Sequence, residues 1–347
     1  MPAGRNRRTR RSKGPGIAGT LLVLFFVALI VTGACAWFVF TPFGPSTETF
    51  VEVTQGSSST RIAQQLESAG VVRSQFAFDL VRWVKRGKLK AGEYRFDHPA
   101  PLAEVYNRIA RGDVYTVAVT VPEGANIFDI AARLEQAGIG TRQSFLDEQA
   151  RLTNLIEDLD PKATDLEGYL FPDTYRFPRK ATPAQIATAM VKRFRTVAAE
   201  LGLKENVHDV VTTASLVERE TALQAERPLV ASVFQNRLAK HMPLMTDPSV
   251  IYGLELQKYW RGAIHQSDLK RDTPYNTYLH GGLPPGPIAN PGLQSLRAAM
   301  APAQSNYLYF VAAGANPQGR SLFAATLEEH TRNVSGYRHA VKKAGGR

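Results

Sequence analysis

From Ile17 to Phe40 the chain carries no charged residue and consists mostly of Leu, Val, Phe, Ala and Ile. A helix of that length is long enough to cross a hydrocarbon layer of about 30 Å, so a transmembrane span is predicted there. The pattern then breaks. Residues 41–49 are rich in Pro, Gly, Ser and Thr and read as a short linker. Beyond it the apolar positions become periodic, and the period recurs. Val53-Thr54-Gln55-Gly56, Ile62-Ala63, Leu66 and Ala69-Gly70 return as Val121-Pro122-Glu123-Gly124, Ile130-Ala131, Leu134 and Ala137-Gly138, each 68 residues later. Each copy predicts a strand ending in a Gly turn, then a helix with Ile, Ala and Leu on one face, closed by Gly at its C-terminal end. Between the copies, Leu89 to Phe96 reads as a strand and Leu102 to Ile109 as an amphipathic helix leading to Gly112. A further strand is expected over Thr116 to Val121.

The second half opens with the aromatic-dense stretch Asp165 to Tyr175, a loop or short strand. Helices are predicted from Pro183 to Leu201, from about Asp209 to Ala222 and from Pro228 to Leu238, the last with Pro in the first turn, where a missing N–H costs little. Thr246-Asp247-Pro248 resembles a cap ahead of a short helix holding Val250, Ile251 and Tyr252. Gly281 to Pro287 contains three prolines and must be a loop. Two strands, Tyr307 to Ala313 and Ser321 to Ala325, precede a final helix with Thr326 and Glu329 as a capping box. The expected fold class is α+β: an N-terminal transmembrane helix, a small α/β repeat module and a mixed C-terminal domain. The corresponding boundaries are 1–16 for a basic tail, 17–40 for the span, 41–49 for the linker, 50–160 for the repeat region and 161–347 for the remainder.

Charge sharpens the topology. The net charge is +11, but Arg5, Arg7, Arg8, Arg10, Arg11 and Lys13 supply six of it, and the rest of the chain is only mildly basic. A basic block confined to one flank of an apolar run argues for a cytoplasmic N-terminus and an extracytoplasmic remainder, and against a nucleic-acid partner. A cleavable signal peptide ending near Ala34-Cys35-Ala36 is the competing reading, set against a long apolar run. Cys35 is the only cysteine, which excludes an intramolecular disulfide or a cysteine metal cluster. The seven histidines are scattered without metal-ligand spacing, and neither a phosphate-binding Gly-rich loop nor a Gly-Xaa-Ser-Xaa-Gly elbow occurs. No metal or cofactor is expected.

Carboxylate chemistry remains. In the helix around residues 210–221, Val210, Ala214, Val217 and Thr221 form an apolar face, and Glu218 and Glu220 lie on its opposite margins. A carboxyl held against apolar neighbours keeps its proton to higher pH and can act as a general acid. The pattern leaves both open, and equally allows both to be solvated or paired with Arg219 or Arg227. Tyr275, Asn276 and Tyr278 pair rings with amides in a way that suits sugar stacking and acetamido recognition, or ordinary packing. Thr246, Asp247 and Asn236 are candidates for orienting a glutamate or holding a glycan, and Thr246 and Asp247 equally for capping.

Ala214-Ser215-Leu216-Val217-Glu218-Arg219-Glu220-Thr221, Glu226-Arg227, Ala231 to Leu238, Thr246 to Gly253, Tyr275-Asn276-Thr277-Tyr278 and Gly282-Leu283-Pro284-Pro285-Gly286 together resemble the endolytic murein transglycosylase (YceG-like, MltG) family. Glu167 to Thr174, Lys90 to Phe96 and the N-terminal span extend the resemblance over nearly the whole chain. It implies a LysM-like module over 50–160 and a lytic transglycosylase domain over 161–347. The second glutamate of Glu-Arg-Glu-Thr, Glu220, would be catalytic, and Glu218, Asn236, Thr246, Asp247, Tyr275, Asn276 and Tyr278 would bind substrate. The implied reaction cleaves the MurNAc-GlcNAc bond inside peptidoglycan glycan strands and leaves 1,6-anhydro-MurNAc ends, limiting nascent strand length. The implied partners are the glycan strands, the lipid bilayer through residues 17–40, and a peptidoglycan synthase or penicillin-binding protein; the implied site is the inner membrane, with the catalytic domain periplasmic. A lysozyme-like muramidase using Asp247 or Glu218 as second carboxylate, and a non-enzymatic peptidoglycan-binding scaffold, are the competing readings.

Overall fold

Ile17–Phe40 forms one continuous helix, α1, whose stretch Gly19–Phe40 is apolar enough to span a bilayer and contains no fully buried residue. A computed structural model describes residues 17–316 and 319–345 of the chain. The Arg-rich block at positions 5–13 lies outside the described residues. The folded part divides into two compact units, one ending at Thr116 and the other beginning at Val117. That division falls between the two copies of the sequence repeat, not after the second.

In the first unit, β1 (Thr49–Val53), α2 (Ser59–Ser68), α3 (Gln75–Lys85), β2 (Gly92–Phe96) and α4 (Leu102–Arg111) follow α1. β1 and β2 pair antiparallel with Val51 opposite Tyr94 and Thr49 opposite Phe96. Alternation along the strands turns Val51, Val53, Tyr94 and Phe96 to one buried face. Ile62, Ala63 and Leu66 of α2, Phe78 and Val81 of α3, and Val105, Tyr106 and Ile109 of α4 pack on that face. The Gly-turn and Gly-cap pattern is realised as read: Gly56 and Gly70 both adopt positive φ, where a side chain would be strained.

The second unit begins with β3 (Val117–Thr120) and α5 (Ile127–Gln136), the second copy, with Gly124 and Gly138 again at positive φ. Then come α6 (Arg142–Gln149), β4 (Thr174–Phe177), α7 (Pro183–Leu201), α8 (Val207–Glu220), α9 (Arg227–Ala239), α10 (Asp247–Leu256), α11 (Leu293–Met300), β5 (Tyr309–Ala312), β6 (Ser321–Ala324) and α12 (Leu327–Gly345). β3 pairs with β4 and β5 with β6, both antiparallel. A large core gathers α5, α7 and the first half of α8 around Tyr169, Phe194 and Ile130. A second cluster joins Leu216 and Val217 of α8 to Val230 and Phe234 of α9, Tyr252 of α10 and Ile288.

One helix boundary and two capping details bear on the sequence expectation. The helix expected to reach Ala222 ends at Glu220, because Thr221 takes an extended backbone and its hydroxyl accepts the N–H of Leu223. Thr246 does occupy the N-cap of α10, yet its hydroxyl caps nothing. In the final helix the Thr326 hydroxyl accepts the Glu329 N–H as expected, whereas the Glu329 carboxylate reaches the N–H of Ala325.

Candidate active site

Glu220 is the last residue of α8, and it opens onto a cleft of about 540 Å³. α9 contributes Phe234 and Arg237 to the walls; the segment Met242 to Asp247 forms one rim; Tyr278, then Tyr309 and Phe310 of β5, and Leu327 and His330 of α12 complete it. The position follows from the apolar stripe of α8. Val211, Ala214, Leu216 and Val217 are fully buried, so the helix is fixed lengthwise and its final carboxyl emerges where the protein opens.

The Glu220 carboxyl makes no hydrogen bond or ion pair with any described residue. Its side chain is half-buried, and loss of hydration pushes its pKa up to about 7; the nearby Asp247 carboxylate pushes the same way and Arg237 partly opposes. The unpaired carbonyls at the C-terminal end of α8 carry partial negative charge, which also disfavours an ionised carboxylate at that place. Asp247 is exposed at the start of α10, and its Oδ1 accepts the Tyr278 hydroxyl at 2.7 Å. The Thr246 hydroxyl is buried in the cleft wall and has no partner among the described residues. Native proteins seldom leave such a group unsatisfied, which marks this hydroxyl in the wall beside Glu220 for an explanation.

Four of the expected residues, Glu220, Thr246, Asp247 and Tyr278, thus share one cleft. The others stand behind it. Glu218 is buried against Arg227 at 2.7 Å and accepts the N–H of Gly292 at 2.9 Å, so its carboxyl is already engaged. Asn236 donates to the carbonyls of Ser305 and Tyr307, fixing the segment that leads into β5. Asn276, fully buried, donates to the carbonyls of Leu269 and Arg271 and accepts the N–H of Tyr278, which holds the Tyr278 ring in place. Tyr275 meets Tyr252 edge-on, with ring centroids 5.0 Å apart. Thr277, given no role of its own in the sequence reading, steadies the opposite rim: its hydroxyl accepts the Thr246 N–H and bonds to Ser249, and its carbonyl accepts the N–H of Met245.

The YceG-like family model matches residues 51–336, nearly the whole folded part of the chain. The chain belongs to the YceG-like family. A Bacillus subtilis (strain 168) relative named endolytic murein transglycosylase is 35% identical over 308 residues, covering 83% of this chain and 84% of that protein. A relative of the same name from Streptococcus pneumoniae (strain D39) is 29% identical over 325 residues; this chain spans 57% of its length. The crystal structure of a YceG-like protein from Listeria monocytogenes superimposes with a TM-score of 0.54 at 32% identity, covering 83% of this chain and 99% of that one.

Within this YceG-like cleft, sequence reasoning missed Arg237, Tyr309 and His330. Arg237 donates through Nε to the Leu308 carbonyl at 2.6 Å and through Nη1 to the Leu244 carbonyl at 2.8 Å, while Nη2 has no hydrogen-bond partner among the described residues. Tyr309 lies over its guanidinium at 5.2 Å and stacks on His330 at 5.0 Å. A hint was present: Arg237 adjoins Asn236 in a block already singled out, and an Arg in the last turn of a helix among apolar neighbours calls for an explanation. Tyr309 and His330 gave no local signal, because only the pairing of β5 with β6 and the packing of α12 bring them to the site.

Proposed function

We propose that this chain is a membrane-anchored endolytic murein transglycosylase with Glu220 as its catalytic acid and base. The observation that carries the assignment is the unpaired Glu220 carboxyl, raised to about 7, on the wall of an open cleft. At neutral pH such a group is protonated about half the time, as a general acid must be. It gives its proton to the oxygen joining MurNAc to GlcNAc as the C1–O bond breaks. The resulting carboxylate takes the proton of the muramoyl C6 hydroxyl, whose oxygen closes onto C1 and forms the 1,6-anhydro end. The proton is returned to the enzyme, and no water is consumed.

Asp247, held by Tyr278, is assigned the stabilisation of positive charge at C1. Thr246 and the Arg237 Nη2 are assigned hydrogen bonds to the glycan, and Tyr278 and Tyr309 the faces on which sugars stack. Glu218, Asn236, Tyr275 and Asn276 are positioning residues in this scheme. The strand-helix copies over 50–160 supply a LysM-like glycan-binding region ahead of a catalytic region over 161–347. In this reading α1 is the inner-membrane anchor, and the one-sided basic block of the sequence favours a cytoplasmic N-terminus and a periplasmic catalytic region. There it trims nascent strands near a peptidoglycan synthase or penicillin-binding protein.

Mass spectrometry of peptidoglycan digests tests the scheme. Wild-type protein should release anhydro-MurNAc ends from the interior of strands, and folded Glu220→Gln protein none. Reducing muramic ends would instead mark a hydrolase using Asp247 as second carboxylate, and full activity in the variant would move the catalytic role to another residue.

A further inference from the structure

Helix α3 has two apolar faces. Phe78 and Val81 enter the core of the first unit, but Phe76, Leu80, Trp83 and Val84 are 76%, 47%, 69% and 66% exposed. At 3.6 residues per turn these four positions fall within an arc of about 100°, one continuous stripe away from the core. Single exposed apolar residues are ordinary, whereas a contiguous stripe with a tryptophan marks a contact surface.

Two observations say what covers it. First, α3 packs against α1 at the point where the anchor ends. Arg73, just ahead of α3, lays its guanidinium over the Trp37 ring at 4.3 Å and the Phe43 ring at 5.0 Å, and donates to the Pro42 carbonyl. The start of α3 is therefore pinned to the last turn of the membrane helix. Second, the surroundings are basic: Arg82, Lys85, Arg86 and Lys88 are exposed, and Asp79 is the only acidic residue between Arg73 and Lys90. We propose that α3 lies on the outer surface of the membrane that α1 crosses. Its stripe sits in the boundary between headgroups and acyl chains, with Arg82, Arg86 and Lys88 over anionic phospholipid headgroups. The proposal rests on α1 being a retained anchor, and it means that the first unit is held flat on the bilayer at two places instead of swinging on residues 41–49.

The three tryptophans, at 37, 83 and 260, allow a direct test in the full chain. One variant, Trp37→Phe with Trp260→Phe, keeps Trp83 alone; another, Trp83→Phe with Trp260→Phe, keeps Trp37 alone. Both are reconstituted in phosphatidylethanolamine–phosphatidylglycerol vesicles containing lipid brominated near the headgroup end of its acyl chains. Both tryptophans should be quenched by the bromolipid, and Trp83 should be shielded from aqueous acrylamide. Adding Phe76→Ser, Leu80→Gln and Val84→Gln should abolish the Trp83 bromolipid quenching without changing the circular dichroism. Quenched Trp37 with an acrylamide-accessible, unquenched Trp83 overturns the proposal and leaves the anchor standing. A Trp83 shielded from both quenchers is covered by protein, a second copy or another partner, which also overturns it. If neither tryptophan is quenched by lipid, the anchor itself fails and the surface contact with it.

Discussion

A carboxyl at the end of a helix, facing a cleft and lacking a hydrogen-bond partner among the described residues, has its proton affinity set by what surrounds it. For Glu220 burial is the largest influence and Asp247 the next, and together they outweigh Arg237. On the proposed assignment, kcat/KM falls as pH rises through about 7, because the proton to be donated is lost. Asp247→Asn should shift that limb to lower pH, and Arg237→Gln to higher pH, readable in a pH-rate profile. Stability follows the same linkage. The folded pKa lies above the ordinary value of 4.5, so the folded state binds this proton more tightly than the unfolded chain does. Its contribution to stability is complete below pH 4.5 and is lost as pH rises through about 7. Glu220→Gln should therefore gain stability relative to wild type across that window, on the order of 2 kcal/mol by pH 8, and little at pH 4. Urea melts at the two pH values measure it; an equal effect at both would mean that the carboxyl is not desolvated. Thr246→Val removes a buried hydroxyl with no partner, so it should leave the melting temperature unchanged or higher while raising KM.

At the scale of elements, the second copy of the repeat has become part of the frame that holds α8. Gly124 and Asn290 bond through the Gly124 N–H and the Asn290 carbonyl, and the Asn290 N–H returns to Ala125. The Asn290 side chain donates to Glu167 at 2.7 Å and accepts the Leu170 N–H at 2.8 Å, while Glu167 accepts the N–H of Ile127 at the start of α5. Glu123 and Glu218 share Arg227, and Arg219 donates to the Gly124 carbonyl. The Glu-Arg-Glu run thus divides its labour: Glu218 and Arg219 fasten α8 to the loop before α5 and to the start of α11, leaving Glu220 unattached. Asn290→Ala leaves several buried groups unsatisfied and should cost about 2–3 kcal/mol in denaturant unfolding, with kcat of the folded protein largely kept. At Gly168 the backbone sits at φ +87° and a Cβ would lie 2.5 Å from Pro287 and 2.7 Å from Val211. Gly168→Ala should therefore lower folded yield far more than its size suggests.

At the scale of the whole molecule, the proposed topology predicts how each side of the anchor meets reagents. In a Cys35→Ser background, Ser68→Cys on the exposed end of α2 should react with a membrane-impermeant maleimide added to spheroplasts, and Ser12→Cys only after lysis. The protein should stay in the membrane pellet through carbonate and high salt and be released by detergent. Release by carbonate would mean that the apolar segment is absent from the mature protein.

What could be read in advance was local. Uninterrupted apolar character marked α1, the 68-residue recurrence marked β1–α2 and β3–α5, and Pro, Gly and capping residues placed both ends of α7 and α9 and the start of α10 within a residue or two. These depend on neighbours a few positions apart, which periodicity and backbone chemistry record. The choice between Glu218 and Glu220 was not local. Both flank the same apolar stripe, and what separates them is Arg227 and Gly292 closing on one while Thr246, Tyr278 and β5 leave an open cleft around the other. The division at Thr116, the partners of Asn290 and the place of Arg237 were decided likewise by contacts between distant segments, whose identity only the packed chain fixes.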